Sequence, residues 1–138
     1  MEKVATRVHE LIVVSKSRKE AYQAAANAVS DPSLHQKFEE FGLQNLHFIS
    51  DIRYFSDYDE SEEDPQQPLA MLWKDIMIAI NNQGFTDKED IKDACQKAEK
   101  ETVKFFEQVY EDQLPPELLL IISKQLMNIK EAEASLKL

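Results

Sequence analysis

Proline-containing breaks divide this sequence into long segments of helical periodicity, and this division limits the fold more than any other feature. The breaks are SDPS at 30–33, the acidic run DYDESEEDPQQP at 57–68, and QLPPE at 113–117. Proline interrupts a helix but suits a first helical turn, so each break can end one helix and start the next. Between the breaks, apolar residues recur every three or four positions, the spacing of one helix face. With only two glycines in the chain, the pattern predicts an all-α protein.

The periodicity predicts one domain over residues 1–138 with five helices. Their predicted bounds are about 3–29, 32–58, 69–83, 87–112 and 116–136. Asp31 is the predicted N-cap of the second helix, and Thr86 that of the fourth, with Glu89 completing a capping box. Helices joined by short turns lie antiparallel, so the first two and the last two form hairpins. The sequence thus predicts an antiparallel four-helix bundle whose long crossover carries a short extra helix.

Charge and cysteine content narrow the classes of partner. There are 26 acidic and 16 basic residues, a formal net charge of −10, and such a surface repels phosphate backbones and anionic lipids. We therefore expect neither a nucleic-acid nor a membrane partner. The single cysteine, Cys95, allows no internal disulfide, and no signal-peptide pattern is found, so we expect a cytoplasmic protein.

Four segments, in their order and spacing, make the chain similar to a known family. They are KEAYQAAANAVSDPSLHQKFEEFGLQNLHF at 19–48, LAMLWKDIMIAI at 69–80, CQKAEKETVKFFEQVYEDQLPPEL at 95–118 and QLMNIKEAEASL at 125–136. The chain resembles the uncharacterised bacterial ferritin-like proteins, which are four-helix bundles of unknown function. This resemblance implies a ferritin-like fold that self-associates, with no established activity to carry over.

The resemblance raises the question of a di-iron centre. Such a centre takes one Glu from each of two helices and a Glu-x-x-His from each of the other two. The second helix offers only Gln44-x-x-His47, in which a neutral amide replaces the carboxylate. In antiparallel helices, residues equally far from the connecting turn lie side by side. Glu101 and Glu99 would therefore lie beside residues of the last helix at the same height, and half of a metal site could be assembled. The candidate metal ligands are His47, Glu101, Glu131, Gln44 and Glu99.

A second interpretation of the same layer needs no metal. Polar side chains at this height, Gln44 and Asn45 among them, would bond to one another or to water. Arg18 or Lys19 lies near the same level of the first helix and could replace the charge of a metal. We expect such a basic residue to pair with Glu99 or Glu101.

The short third helix is apolar over much of its circumference, more than packing on one side of a bundle requires. It is therefore either sandwiched within one chain or partly covered by a second copy. Because soluble oligomers are most often two-fold dimers, we expect a homodimer that uses this helix. The candidate interface residues are Met71, Leu72, Trp73, Ile76, Met77 and Ile80.

These observations favour a function that depends on surfaces. No glycine-rich phosphate loop and no catalytic triad spacing occurs in the sequence. The principal hypothesis is a non-enzymatic structural or protein-interaction protein with a degenerate metal site and no cofactor. The alternative is a di-iron or single-metal oxidoreductase, or an iron-handling protein, with iron as its cofactor.

Overall fold

The computed structural model describes residues 2–56, 67–85 and 87–137. Five α-helices run through these ranges, with bounds α1 Glu2–Ala28, α2 Pro32–Ile52, α3 Pro68–Asn81, α4 Lys88–Tyr110 and α5 Pro116–Leu136. No strand occurs in the described residues. The predicted all-α class and the five helices are confirmed. The predicted acidic crossover falls mostly on residues 57–66, which lie outside the described ranges.

Short polar side chains fix where the helices begin. Asp31 caps α2 as predicted, because its carboxylate accepts a hydrogen bond from the Leu34 amide at 3.1 Å. The predicted cap of α4, Thr86, lies outside the described residues, and the capping side chain is that of Asp87, which accepts from the Asp90 amide at 3.0 Å. Thr and Asp are both good N-cap residues, so the sequence alone does not decide between the adjacent Thr86 and Asp87.

The ends of the helices differ more from the predictions. The prediction took α2 to residue 58, but its α-helix ends at Ile52 and a single 3-10 turn, Arg53–Phe55, follows. The prediction took α3 to residue 83, but it ends at Asn81. Gln83 then adopts a φ of 58°, the left-handed conformation common after a helix. Apolar periodicity carries no stop signal where the chain merely tightens into a turn.

Contacts between side chains give the direction of each helix. Arg18 of α1 contacts Asn45 of α2, while His35 contacts the carbonyl of Ala26, so α1 and α2 are antiparallel. Arg18 also contacts Glu99, whereas Arg7 contacts Asp112, so α1 and α4 are antiparallel. It follows that α2 and α4 run in the same direction.

The remaining pairs complete the arrangement. Gln125 of α5 contacts the Phe48 carbonyl and Lys37 the Ser135 carbonyl, so α5 runs antiparallel to α2. Helix α3 packs against α1 and α4. Its Trp73 indole donates to the Thr102 hydroxyl at 3.0 Å.

The core lies between these five helices and is lined by apolar residues from all of them. Its largest fully buried apolar or aromatic side chains include Trp73, Tyr22, Phe38, Phe106 and Leu118. Burying each such side chain contributes about 1.5–3 kcal/mol, so packing is the main source of stability. None of the helices in the described ranges has both the length and the apolar character needed to cross a membrane.

Candidate functional site

A buried ion pair lies at the middle of the bundle, between α1 and α4. The Arg18 Nη2 atom is 2.7 Å from the Glu99 Oε2 atom, and Arg18 Nε is 3.1 Å from Oε1. The two side chains are only 1% and 0% exposed. A guanidinium that meets both carboxylate oxygens in this way forms a strong, oriented contact. The predicted pairing of a basic residue with Glu99 is confirmed for Arg18.

Tyr22 joins this pair from one turn further along α1. Its hydroxyl donates to Glu99 Oε2 at 2.8 Å, and its ring lies 5.1 Å from the guanidinium carbon of Arg18. Burial raises the pKa of Tyr22 well above its ordinary value, and the negative charge of Glu99 raises it further. The phenol therefore stays protonated and acts as a donor. Tyr22 was not among the residues predicted for this site, although its four-residue spacing from Arg18 places both on one face of α1.

Helix α2 supplies acceptors for the rest of the guanidinium. Arg18 donates to Asn45 Oδ1 at 2.9 Å, to the Phe41 carbonyl at 3.3 Å and to Gln44 Oε1 at 3.2 Å. The Asn45 amide in turn donates to the Phe41 carbonyl at 3.0 Å. We call Arg18, Tyr22, Gln44, Asn45 and Glu99 the polar cluster. It joins three helices through one cation and one anion.

The cluster is balanced in charge. Burial is the largest single influence on Arg18 and disfavours its charged guanidinium. The charge of Glu99 and its hydrogen bonds, together with smaller contributions from Tyr22 and Cys95, outweigh burial, so the pKa of Arg18 lies above its ordinary value. The Cys95 thiol is fully buried nearby, and burial, followed by the charge of Glu99, raises its pKa strongly. Cys95 is therefore a buried, neutral thiol.

The structure does not bring the five candidate metal ligands together. Glu99 and Gln44 both contact Arg18, whereas Glu101 is exposed and lies 3.3 Å from Lys104. His47 and Glu131 are also exposed. Across the described ranges, no three His, Cys, Asp or Glu side chains form a group that could hold a metal ion.

The reason for this dispersal is helix rotation. Successive residues turn by about 100°, so a residue two positions from a buried one points away from the core. Glu101 follows Glu99 by two positions, and His47 follows Asn45 by two. Glu99 and Glu101, like Asn45 and His47, therefore lie at nearly the same height but on different faces of their helices.

Gln125 is a buried polar side chain outside the polar cluster. Gln125 of α5 is 2% exposed, and its amide donates to the Phe48 carbonyl at 3.2 Å. Its Oε1 atom has no hydrogen-bond partner among the described residues. Leaving a buried acceptor without a partner costs about 1–3 kcal/mol.

The candidate interface residues of α3 divide between two faces. Trp73, Ile76 and Ile80 are buried within the chain, so the prediction that they face a second copy is wrong. They instead pack against α1 and α4, as the sandwiched interpretation of this helix requires. Met77 is half-buried. Met71 and Leu72 are exposed, together with Ile78 on the same outer side.

Comparison of this chain with protein-family models, with curated proteins and with solved structures gave no match. The resemblance to ferritin-like proteins therefore stays a prediction.

Proposed function

We propose that this chain is a cytoplasmic, non-enzymatic bundle of ferritin-like arrangement that acts as a structural or protein-interaction protein. The observation that carries this proposal is the Arg18–Glu99 pair at the centre of the bundle. The pair supplies at this level the positive charge that a metal ion would otherwise supply. The polar cluster then stabilises the helices and fixes their relative orientation.

The directions of the helices support the ferritin-like part of the proposal. Ferritin-like bundles consist of two antiparallel hairpins joined by one long crossover, so that their second and third long helices run in the same direction. Here α1 is antiparallel to both α2 and α4, and the chain crosses through α3 between them. This is the topology that a single crossover produces.

The chemistry of Glu99 supports the non-enzymatic part. Both of its carboxylate oxygens accept hydrogen bonds from Arg18, and Oε2 also accepts one from Tyr22. A metal ion that bound Glu99 would have to displace the guanidinium from a site where Arg18 is only 1% exposed. Separating a buried pair leaves uncompensated charge and costs about 3–5 kcal/mol. Iron would have to bind tightly enough to offset that cost.

The test is metal analysis of protein purified without an affinity tag, followed by anaerobic ferrous titration and exposure to oxygen. We expect no stoichiometric iron and no oxidation beyond that of the buffer. Glu99→Gln is the matched variant, because it removes the carboxylate from the polar cluster. Stoichiometric iron that is lost in Glu99→Gln would overturn the proposal and assign the chain to the iron-handling class.

A further inference from the structure

We propose that the outer face of α3 is the contact between two copies of this chain, packed antiparallel about a two-fold axis near residues 74 and 75. This outer face consists of Met71, Leu72, Lys74, Asp75 and Ile78. The inference rests on the proposed function, since it names the partner of a protein that acts through its surfaces.

The outer face is apolar along one line. Met71 and Ile78 are each 46% exposed, and Leu72 beside them is 37% exposed. A spacing of seven residues is two helical turns, so Met71 and Ile78 lie above one another. The opposite side of the helix is fixed in the core by Trp73, which is fully buried. The apolar line is therefore held facing outward.

Two-fold symmetry makes this line complementary to itself. When two copies of α3 run antiparallel about an axis between residues 74 and 75, Met71 of one copy lies opposite Ile78 of the other. The contact occurs twice, because both copies use the same patch. Each copy thus covers two exposed apolar side chains of its partner.

Charge is the main obstacle to self-association, because each chain carries a net charge of −10. Near the axis the two Asp75 side chains lie next to each other, and so do the two Lys74 side chains, and each like-charged pair is unfavourable by itself. Packed helices are about 8–10 Å apart, so Lys74 of each copy can reach Asp75 of the other. Within the described residues, neither Lys74 nor Asp75 makes an ion pair. The lysines are thus available to offset the repulsion between the aspartates.

Helix α5 provides a contrast with the same apolar spacing. Leu120 and Met127 are 59% and 60% exposed and also lie two turns apart. The residues between them are Ser123 and Lys124, so antiparallel pairing there would bring two lysines together without an acid. More apolar surface is exposed on α5, yet α3 is the face with charges of both signs beside its axis.

Sedimentation over a range of concentrations tests the inference. We expect a dimer for the wild-type chain, and a dissociation constant weakened at least about tenfold by Met71→Lys. Because the added lysine lowers the net negative charge, overall repulsion cannot explain such a loss. Met127→Lys is the matched control and should leave the constant unchanged. Equal effects of the two variants would overturn the inference.

A charge exchange tests the axis itself. Lys74→Glu should weaken the dimer at least about tenfold, while Lys104→Glu, which changes the net charge equally, should have a much smaller effect. Combining Lys74→Glu with Asp75→Lys should restore the dimer, because the reversed charges can pair again. If the combined variant is as weak as Lys74→Glu alone, the proposed register is wrong.

A cross-link provides a result that does not depend on loss of stability. A Met71→Cys chain mixed with an Ile78→Cys chain should form disulfide-linked heterodimers faster than either chain alone, because the two positions lie opposite each other. Buried Cys95 serves as an internal background thiol. A wild-type chain that stays monomeric would overturn this inference but leave the proposed function intact. Iron uptake would overturn the proposed function without affecting the sedimentation results.

Discussion

Replacing Arg18 with methionine tests whether the polar cluster is held together by a buried ion pair. The methionine keeps an apolar side chain of similar reach but removes the guanidinium. Glu99 then remains fully buried, and the one remaining described side chain bonded to its carboxylate is that of Tyr22. An uncompensated buried charge of this kind costs about 3–5 kcal/mol.

The individual contacts give a similar magnitude. Arg18 makes two oriented contacts with Glu99, at 2.7 and 3.1 Å, and each charge-assisted hydrogen bond contributes about 1.5–3 kcal/mol. The loss is a large fraction of the roughly 5–15 kcal/mol that stabilises a typical domain. For a chain of this length we expect the melting temperature to fall by about 10–20 °C.

Urea unfolding followed by circular dichroism measures the effect, with Lys104→Met as the control. Lys104 lies 3.3 Å from Glu101 in an exposed pair, which is worth at most about 1 kcal/mol. Arg18→Met combined with Glu99→Leu should recover most of the lost stability, because no charge then remains buried. If Arg18→Met costs no more than Lys104→Met, or if the double variant is less stable than Arg18→Met, the reasoning about burial is refuted.

Three further predictions concern single side chains. Gln125→Met should raise the free energy of unfolding by about 1 kcal/mol, because it removes a buried oxygen that has no partner in the described part of the chain. A lower free energy of unfolding in urea would show that this oxygen is bonded in solution. The Ala26 carbonyl, which contacts His35 Nδ1 at 2.7 Å, raises the pKa of His35; desolvation lowers it by a smaller amount, and Glu39 raises it further. This stabilisation is complete below the unfolded pKa of about 6.5 and is lost as pH rises through the higher folded pKa, so the stability difference between wild type and His35→Asn should shrink from about pH 6 to pH 8. A difference independent of pH would contradict it. Cys95 should react with a thiol reagent only when the chain opens, because burial raises its pKa and excludes the reagent, and labelling as fast as in urea would refute this.

Local signals explain which parts of the fold could be predicted. The cap at Asp31 and the proline after it act within one helical turn, so the sequence alone places the start of α2. The α-helical end of α2 at Ile52 has no comparable signal, and the prediction continued to residue 58. The predicted helix directions depended only on the lengths of the connections. The contacts of Arg18 with Asn45 and of His35 with the Ala26 carbonyl confirm that α1 and α2 are antiparallel.

The candidate site depends on the rotation of each helix about its own axis. The sequence defines this rotation less well than it defines the helices themselves. Counting from the turns gave Glu99 and Gln44 nearly the correct height, and both contact Arg18. The same counting could not distinguish the face of Glu99 from that of Glu101, because core packing decides which one points inward. Tyr22 was missed because its ring fits an apolar position, and only the position of Glu99 reveals the role of its hydroxyl.

The polar cluster has a consequence for the surface of the molecule. Apolar side chains tolerate sliding, but a shift of α4 by one turn would move Glu99 by about 5.4 Å and leave two buried charges unpaired. Arg18 therefore fixes the register between the α1–α2 hairpin and α4, and the bond from Trp73 to Thr102 fixes α3 against the same helix. A helix fixed in this way presents Met71 in a defined direction before any partner binds. Such preorganisation reduces the ordering cost of association, which links the buried ion pair to the proposed contact between two copies.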